Sequence, residues 1–125
     1  MMARRIKIYF DGGCRPNPGR METAVVTGGA ATVVRDAGIG NSMDAEWLAL
    51  IAALRLAQDL RLTNFVLLGD AVAVVGQAND VVRARGDAAG HLATFRALVG
   101  DGPAPNIRHI KRTQNLAGIA LARGR

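Results

Sequence analysis

Apolar residues recur along this chain in two periods. Ile6–Phe10 is rich in β-branched and aromatic residues, and Gly, Pro and Asn close it, which predicts a strand. Glu22–Thr27 predicts a second strand, Gly28-Gly29 a tight hairpin turn and Ala31–Arg35 a third strand, so the chain opens as an antiparallel meander. Asp36 to Gly40 reads as a loop. The period then changes. Trp47, Leu50, Ile51 and Leu54 recur at helical spacing and predict a helix whose apolar stripe faces the sheet. Asn41 and Ser42 are good caps for it, Asp44 in its first turn suits the helix dipole, and it runs to about Asp59.

Phe65-Val66-Leu67-Leu68 is a continuous apolar run, the pattern of a central strand covered on both faces, and it ends at Gly69-Asp70. Ala71–Arg85 predicts a second helix, weakened by Gly76 and stopped by Gly86. Asp87–Val99 predicts a third, with Gly90 inside it. Gly100 to Pro105 is a loop, Ile107–Lys111 a short polar strand at an edge, and Asn115–Ala122 a final helix. The order β-β-β-α-β-α-α-β-α predicts an α/β fold, a five-stranded mixed sheet flanked by helices, in a single domain over residues 1–125.

Composition narrows the class. The 125 residues suffice for one domain with its own core, and the 50% apolar content argues against disorder. No apolar run is long enough for a membrane helix, and the start lacks the apolar core of a signal peptide. The single cysteine, Cys14, rules out an internal disulfide and fits a reducing cytoplasm. One Cys and two His leave no zinc site of the usual kind. The net charge of +6 favours an anionic partner, nucleic acid first. Arginine-rich usage is also what a GC-rich genome produces, but the placement is uneven. Asn106 to Arg125 holds five basic residues and no acid, and the first twenty residues hold five basic residues against Asp11.

The stretch Asp11-Gly12-Gly13-Cys14-Arg15-Pro16-Asn17-Pro18-Gly19 carries the chemistry that the rest of the chain completes. Asp11 sits where the first strand emerges, and the glycines and prolines after it make a stiff loop open to close approach. An Asp-Gly hairpin turn is the structural alternative, and no Gly-Lys-Ser/Thr closes the run as a phosphate loop would. Two further carboxylates fall at element ends: Glu46 in the first turns of the first helix and Asp70 after the central strand. Taken singly, Glu46 could be a solvated helix acid and Asp70 a helix cap. If the first and fourth strands are parallel neighbours, however, all three meet at one sheet edge, where ligands bind in such folds. Three oxygen donors there suit Mg²⁺ or Mn²⁺.

These residues resemble type 1 ribonuclease H. Phe10 to Cys14 with Asn17-Pro18-Gly19 is similar to that family's first acidic strand and substrate loop. Asp44-Ala45-Glu46-Trp47-Leu48-Ala49-Leu50 resembles its glutamate helix, and Leu67-Leu68-Gly69-Asp70 its third acidic motif. Ile107 to Ile110, then Arg112, Asn115 and Leu121-Ala122, resembles the last strand and helix. The resemblance implies a ribonuclease H-like fold and hydrolysis of the RNA strand of RNA–DNA hybrids by two divalent ions, Mg²⁺ or Mn²⁺. Asp11, Glu46 and Asp70 would be the ligands, and Gly12, Gly13, Cys14 and Asn17 would touch the RNA. A cytoplasmic monomer is expected.

Several positions depart from the family pattern. Gly118-Ile119 stands where the family's final helix carries Ala-Asp, so the usual fourth carboxylate is missing. Met43 and Ala71 replace the Asn and Ser often found near the second and third acids, and Asp87–Val99 lacks a cluster of basic residues. Asn115, one turn before Ile119, could supply an amide oxygen in place of the missing acid, or could merely cap the last helix. The alternative function is a nucleic-acid-binding module on the same fold that has lost catalysis.

Overall fold

The computed structural model describes residues 4–123. Its elements run β1 (Ile6–Cys14), β2 (Gly19–Thr27), β3 (Ala30–Val34), β4 (Ile39–Gly40), α1 (Ser42–Asp59), β5 (Phe65–Gly69), α2 (Val72–Ala78), α3 (Asp87–Val99), β6 (Asn106–His109), a 3-10 turn (Arg112–Gln114) and α4 (Leu116–Ala122). The sheet order is β3-β2-β1-β5-β6, with two-residue β4 paired to the start of β2. β1, β2 and β3 form the expected antiparallel meander, and β5 lies parallel to both β1 and β6. Gly28 and Gly29 turn the β2–β3 hairpin at φ 57° and 78°, a conformation that disfavours any Cβ. β6 is at the edge, as its polar sequence predicts.

Side chains alternate between two faces of the sheet. Ile8 and Phe10 of β1 join Trp47, Leu50, Leu54, Leu67, Val74 and Phe95 in the main core, under α1, α2 and α3. Tyr9, Ala24, Val26 and Val33 face the other way, against Ala117 and Leu121 of α4. α1 starts with a capping box: the Asn41 side chain accepts from Asp44 N–H, and the Asp44 carboxylate accepts from Asn41 N–H. β5 is buried from Val66 through Gly69, as its unbroken apolar run predicts. Among the described residues no helix is long and apolar enough to cross a membrane.

Several boundaries differ from the sequence expectation, among them β2, which starts at Gly19 rather than Glu22, and β6, which ends at His109 rather than Lys111. β1 does not end at Phe10. It continues to Cys14, because Gly12, Gly13 and Cys14 pair with Thr23, Glu22 and Met21 of β2. Asp11 is therefore inside a strand, and the irregular loop begins only at Arg15. The second helix stops at Ala78 rather than Arg85. Asp80 takes φ 63° and turns the chain back, so that Val81 and Val82 N–H both bond the Gly76 carbonyl. Val82 then lies over Gly76, where a Cβ would come within 2.8 Å of its Cγ2. Gly76 thus accepts the returning chain more than it weakens a long helix. Lastly, the Asp36–Gly40 loop contributes the short β4, and the final helix is preceded by a 3-10 turn.

Candidate active site

The β1–β5 register runs from Ile6 opposite Phe65 to Tyr9 opposite Leu68. Continued by two residues, it brings Asp11 level with Asp70, just past the carboxyl end of β5. β1 overhangs that end because β2 supports it from the other side. Glu46 arrives from α1, whose start lies directly on β1. A Cβ at Gly12 would be 2.2 Å from the Ala45 carbonyl carbon and oxygen and 2.5 Å from Glu46 N, so only glycine permits this approach. The contact also aims the acid, since Gly12 N–H donates to Glu46 Oε1 at 3.1 Å.

Asp11, Glu46 and Asp70 each offer one carboxylate oxygen, and those three atoms lie within 4.8 Å of one another. Glu46 Oε2 is buried and receives no hydrogen bond. Burial makes Glu46 and Asp11 hold protons more tightly than ordinary carboxyls. Burial, then hydrogen bonding to Asp11 and the charge of that neighbour, push Glu46 up to about 9. Burial, and then the charge of Asp70, also raise Asp11, against a lowering by its hydrogen bond with Glu46, by Gly12 N–H and by Arg112. Without a cation, Glu46 keeps its proton well above the ordinary carboxyl range. An orphaned carboxylate oxygen beside two further carboxylates fits a divalent cation, which would replace that proton and offset the repulsion.

Around the acids opens a groove of about 740 Å³. Gly12, Gly13 and Cys14 line it, with Arg15, Lys111 and Arg112 among the cations. Arg112 Nε lies 4.0 Å from Asp70 Oδ2, on a side chain that is 95% exposed. Sequence reasoning placed Arg112 in a basic segment but gave it no part in the site, because the turn that brings it there is a tertiary feature.

The other sequence-predicted residues have local duties. Gly12 N–H is directed at Glu46 and not at the open groove. Cys14 is buried, with Sγ 3.3 Å from the Pro16 carbonyl oxygen and 3.4 Å from that of Gly40. Asn17 brackets the start of α1: its Nδ2 donates to Ser42 Oγ at 3.0 Å, and its Oδ1 accepts from Ser42 N–H at 3.1 Å. Asp70 is not a helix cap, since the residue at the head of α2 is Ala71 and no side chain caps it.

Of the two roles open to Asn115, cap or ligand, the structure shows the bonds of the cap. It is fully buried, its Oδ1 accepts from Ala117 N–H at 3.1 Å, and its Nδ2 donates to the Phe10 carbonyl at 3.0 Å. Both polar atoms are committed, so its duty is to cap α4 and tie that helix to β1. Ile119, at the position of the missing acid, is 45% exposed, whereas Gly118 faces the cluster. A Cβ at 118 would lie 3.3 Å from Asp11 Oδ2. His109 stands on the groove wall, and His91 lies outside the groove lining and pairs with Asp44 at 2.8 Å.

Residues 18–124 match the family model described as reverse transcriptase-like. No curated protein sequence matches the chain. Among solved structures, it is similar to the RNase H1 of the halophilic archaeon Halobacterium salinarum, with 30% identity over 94% of each chain and a TM-score of 0.83. It is also similar to LC11-RNase H1, seen in complex with an RNA/DNA hybrid, with 26% identity over 94% of this chain and 93% of that one and a TM-score of 0.83. The N-terminal RNase H domain of a Mycobacterium tuberculosis protein shares 25% identity over 96% of this chain and 97% of that one, with a TM-score of 0.74. The shared fold, the matched family model and the identity across nearly the whole length agree with the motifs around Asp11, Glu46 and Asp70: this chain belongs to the type 1 ribonuclease H family.

Proposed function

We propose that the protein is an endonuclease that hydrolyses the RNA strand of RNA–DNA hybrids, using Mg²⁺ or Mn²⁺ held by Asp11, Glu46 and Asp70. The observation that carries this reading is the convergence of three carboxylates around a buried oxygen of Glu46 that has no donor. Such a cluster is costly unless a cation joins it. When bound, divalent ions supply an activated water and stabilise charge on the leaving oxygen. The chain does the rest. Gly12 N–H fixes Glu46 Oε1, the overhang of β1 fixes Asp11, and the end of β5 fixes Asp70. Glu46, whose proton affinity is raised, must lose its proton before it can hold a cation. Arg15, Lys111 and Arg112 give the groove positive charge for the phosphate backbone. Gly13 lines the groove, and with the Asn17 loop beside it would meet the RNA strand, where contact with a 2′-hydroxyl separates RNA from DNA. All three acids come from one chain, so a monomer suffices, and its free Cys14 thiol suits a reducing cytoplasm.

The missing fourth acid favours one rival, a binding module without catalysis, because exposed Ile119 offers no ligand. A labelled hybrid incubated with Mg²⁺ or Mn²⁺ separates the two. The nuclease cuts the RNA strand only with metal and leaves duplex DNA intact. Absence of cleavage with either metal at high enzyme concentration would establish the binding module instead.

A further inference from the structure

A second, smaller depression of about 340 Å³ lies beside the groove, lined by Arg15, Arg20, Glu22 and Arg35. Strand register explains the cluster. Cys14 pairs with Met21, so Arg15 and Arg20 follow on either side of the loop that joins β1 to β2. Thr23 pairs with Val34, which puts Glu22 beside Arg35. Arg15 lines both the depression and the catalytic groove and stands between them.

The three arginines are held differently. Arg35 is a fixed charge: its Nη1 donates to the Leu121 carbonyl at 2.9 Å and to Glu22 Oε1 at 3.1 Å, and its Nη2 donates to the Arg123 carbonyl at 2.6 Å. It closes the carboxyl end of α4 and holds a cation against the sheet. Arg20 reaches Asp36 only at 4.0 Å, with both side chains 68% exposed, a pairing of little strength that a phosphate can displace. Arg15 is exposed and makes no hydrogen bond or ion pair among the described residues. On the α3 side the helix itself carries a single basic residue other than histidine, Arg96, which is paired with Asp80, and two further exposed arginines, Arg83 and Arg85, stand in the segment before it.

We propose that this depression is a second backbone-phosphate site, where Arg15 and Arg20 hold the nucleic acid as it leaves the catalytic groove and Arg35 supplies a fixed positive background. The inference rests on the hybrid reading for the path of the nucleic acid, though the contact itself needs neither a 2′-hydroxyl nor cleavage. Four residues of extended chain separate Asp11 from Arg15, about 13 Å, or roughly four base-pair rises of a duplex. The site therefore engages only substrates that continue several base pairs past the acids.

The test is binding of fluorescent duplexes of about 18 base pairs, hybrid and all-DNA, followed by anisotropy over a range of salt in EDTA so that nothing is cut. Arg15→Gln/Arg20→Gln is compared with Arg55→Gln/Arg61→Asn, which removes the same charge from the carboxyl-terminal half of α1 and the turn after it, at the end of the sheet away from Asp70. The first variant should bind both duplexes about ten-fold or more weakly at ~0.1 M salt, with a slope of log K against log salt lower by about two. The second should keep the wild-type slope. Equal slopes in the two variants, or a wild type that binds neither duplex at low salt, overturn the proposal. A wild type that shows the Arg15 and Arg20 dependence but never cuts RNA leaves this site standing and removes the nuclease reading. Cleavage without that dependence does the reverse.

Discussion

Gly12→Ala is the most informative single substitution, because it changes one methyl group at the contact that builds the site. The new Cβ would lie 2.2 Å from the Ala45 carbonyl carbon and oxygen and 2.5 Å from Glu46 N. Non-bonded carbon atoms settle at about 3.5–4.0 Å, so the start of α1 must withdraw by roughly 1–1.5 Å. No rotamer relieves the clash, since every atom involved is backbone. The cost is at the upper end of overpacking, about 3 kcal/mol. For a domain of this size that lowers the melting temperature by roughly 12 °C. The second consequence is chemical. Withdrawal of α1 breaks the 3.1 Å bond from Gly12 N–H to Glu46 Oε1 and draws that carboxylate away from Asp11 and Asp70. A misplacement of about 1 Å at reacting groups costs on the order of 100-fold in rate. The assay is thermal unfolding by circular dichroism, with hybrid cleavage measured well below both midpoints so that the fraction folded is equal. Gly90→Ala is the control: no atom lies within 4 Å of its added Cβ, and it should stabilise α3 by about 0.5–1 kcal/mol. A Gly12→Ala protein that melts within about 2 °C of wild type and cuts at the wild-type rate would refute the close approach of α1 to β1.

Three further outcomes follow from the same geometry. Asp70→Asn should keep the fold while lowering cleavage by about 100-fold or more, through loss of a few kcal/mol of charge stabilisation, and wild-type turnover would remove Asp70 from the site. In metal-free protein Glu46 holds its proton up to about 9, against an ordinary 4.5, so the folded state binds an extra proton between those values and loses stability as pH rises. Stability in EDTA should fall as pH rises through that window, with a slope of up to about 1.4 kcal/mol per pH unit, Mn²⁺ should reverse the fall, and Glu46→Gln should flatten it; a wild-type profile already flat from about pH 6 to 8.5 contradicts the raised proton affinity of Glu46. Asn115→Ala loses a cap and the donor to the Phe10 carbonyl, about 2–4 kcal/mol together, and Asn115→Asp should destabilise as well because it buries a carboxylate against that carbonyl. A stable, active Asn115→Asp would return Asn115 to the metal site.

The sequence alone determined the elements whose causes are local. The cap Asn41 with Asp44 in the first turn behind it, the Gly28-Gly29 turn, the apolar stripe from Trp47 to Leu54 and the unbroken run at Phe65–Leu68 each state a conformation within a few residues, although Ser42, also a good cap by type, is already inside the helix. The three acids were legible because the motif around each is contiguous, and Glu46 and Asp70 also stand near element ends. What depends on another part of the chain was not legible. Gly12-Gly13 reads as a turn in isolation and becomes strand only because β2 supplies a hydrogen-bonding partner and α1 requires a bare backbone. The second helix reads long until the returning Val82 shows why Gly76 is there. Asn115 looks equally suited to cap or ligand, and only the Phe10 carbonyl, 105 residues away, decides between them. Likewise Arg15, Arg20 and Arg35 are scattered charges in sequence, and the registers of two strand pairs gather them into one depression. Local chemistry fixes which conformations a segment prefers; long-range contact fixes which polar atoms are left to meet a ligand.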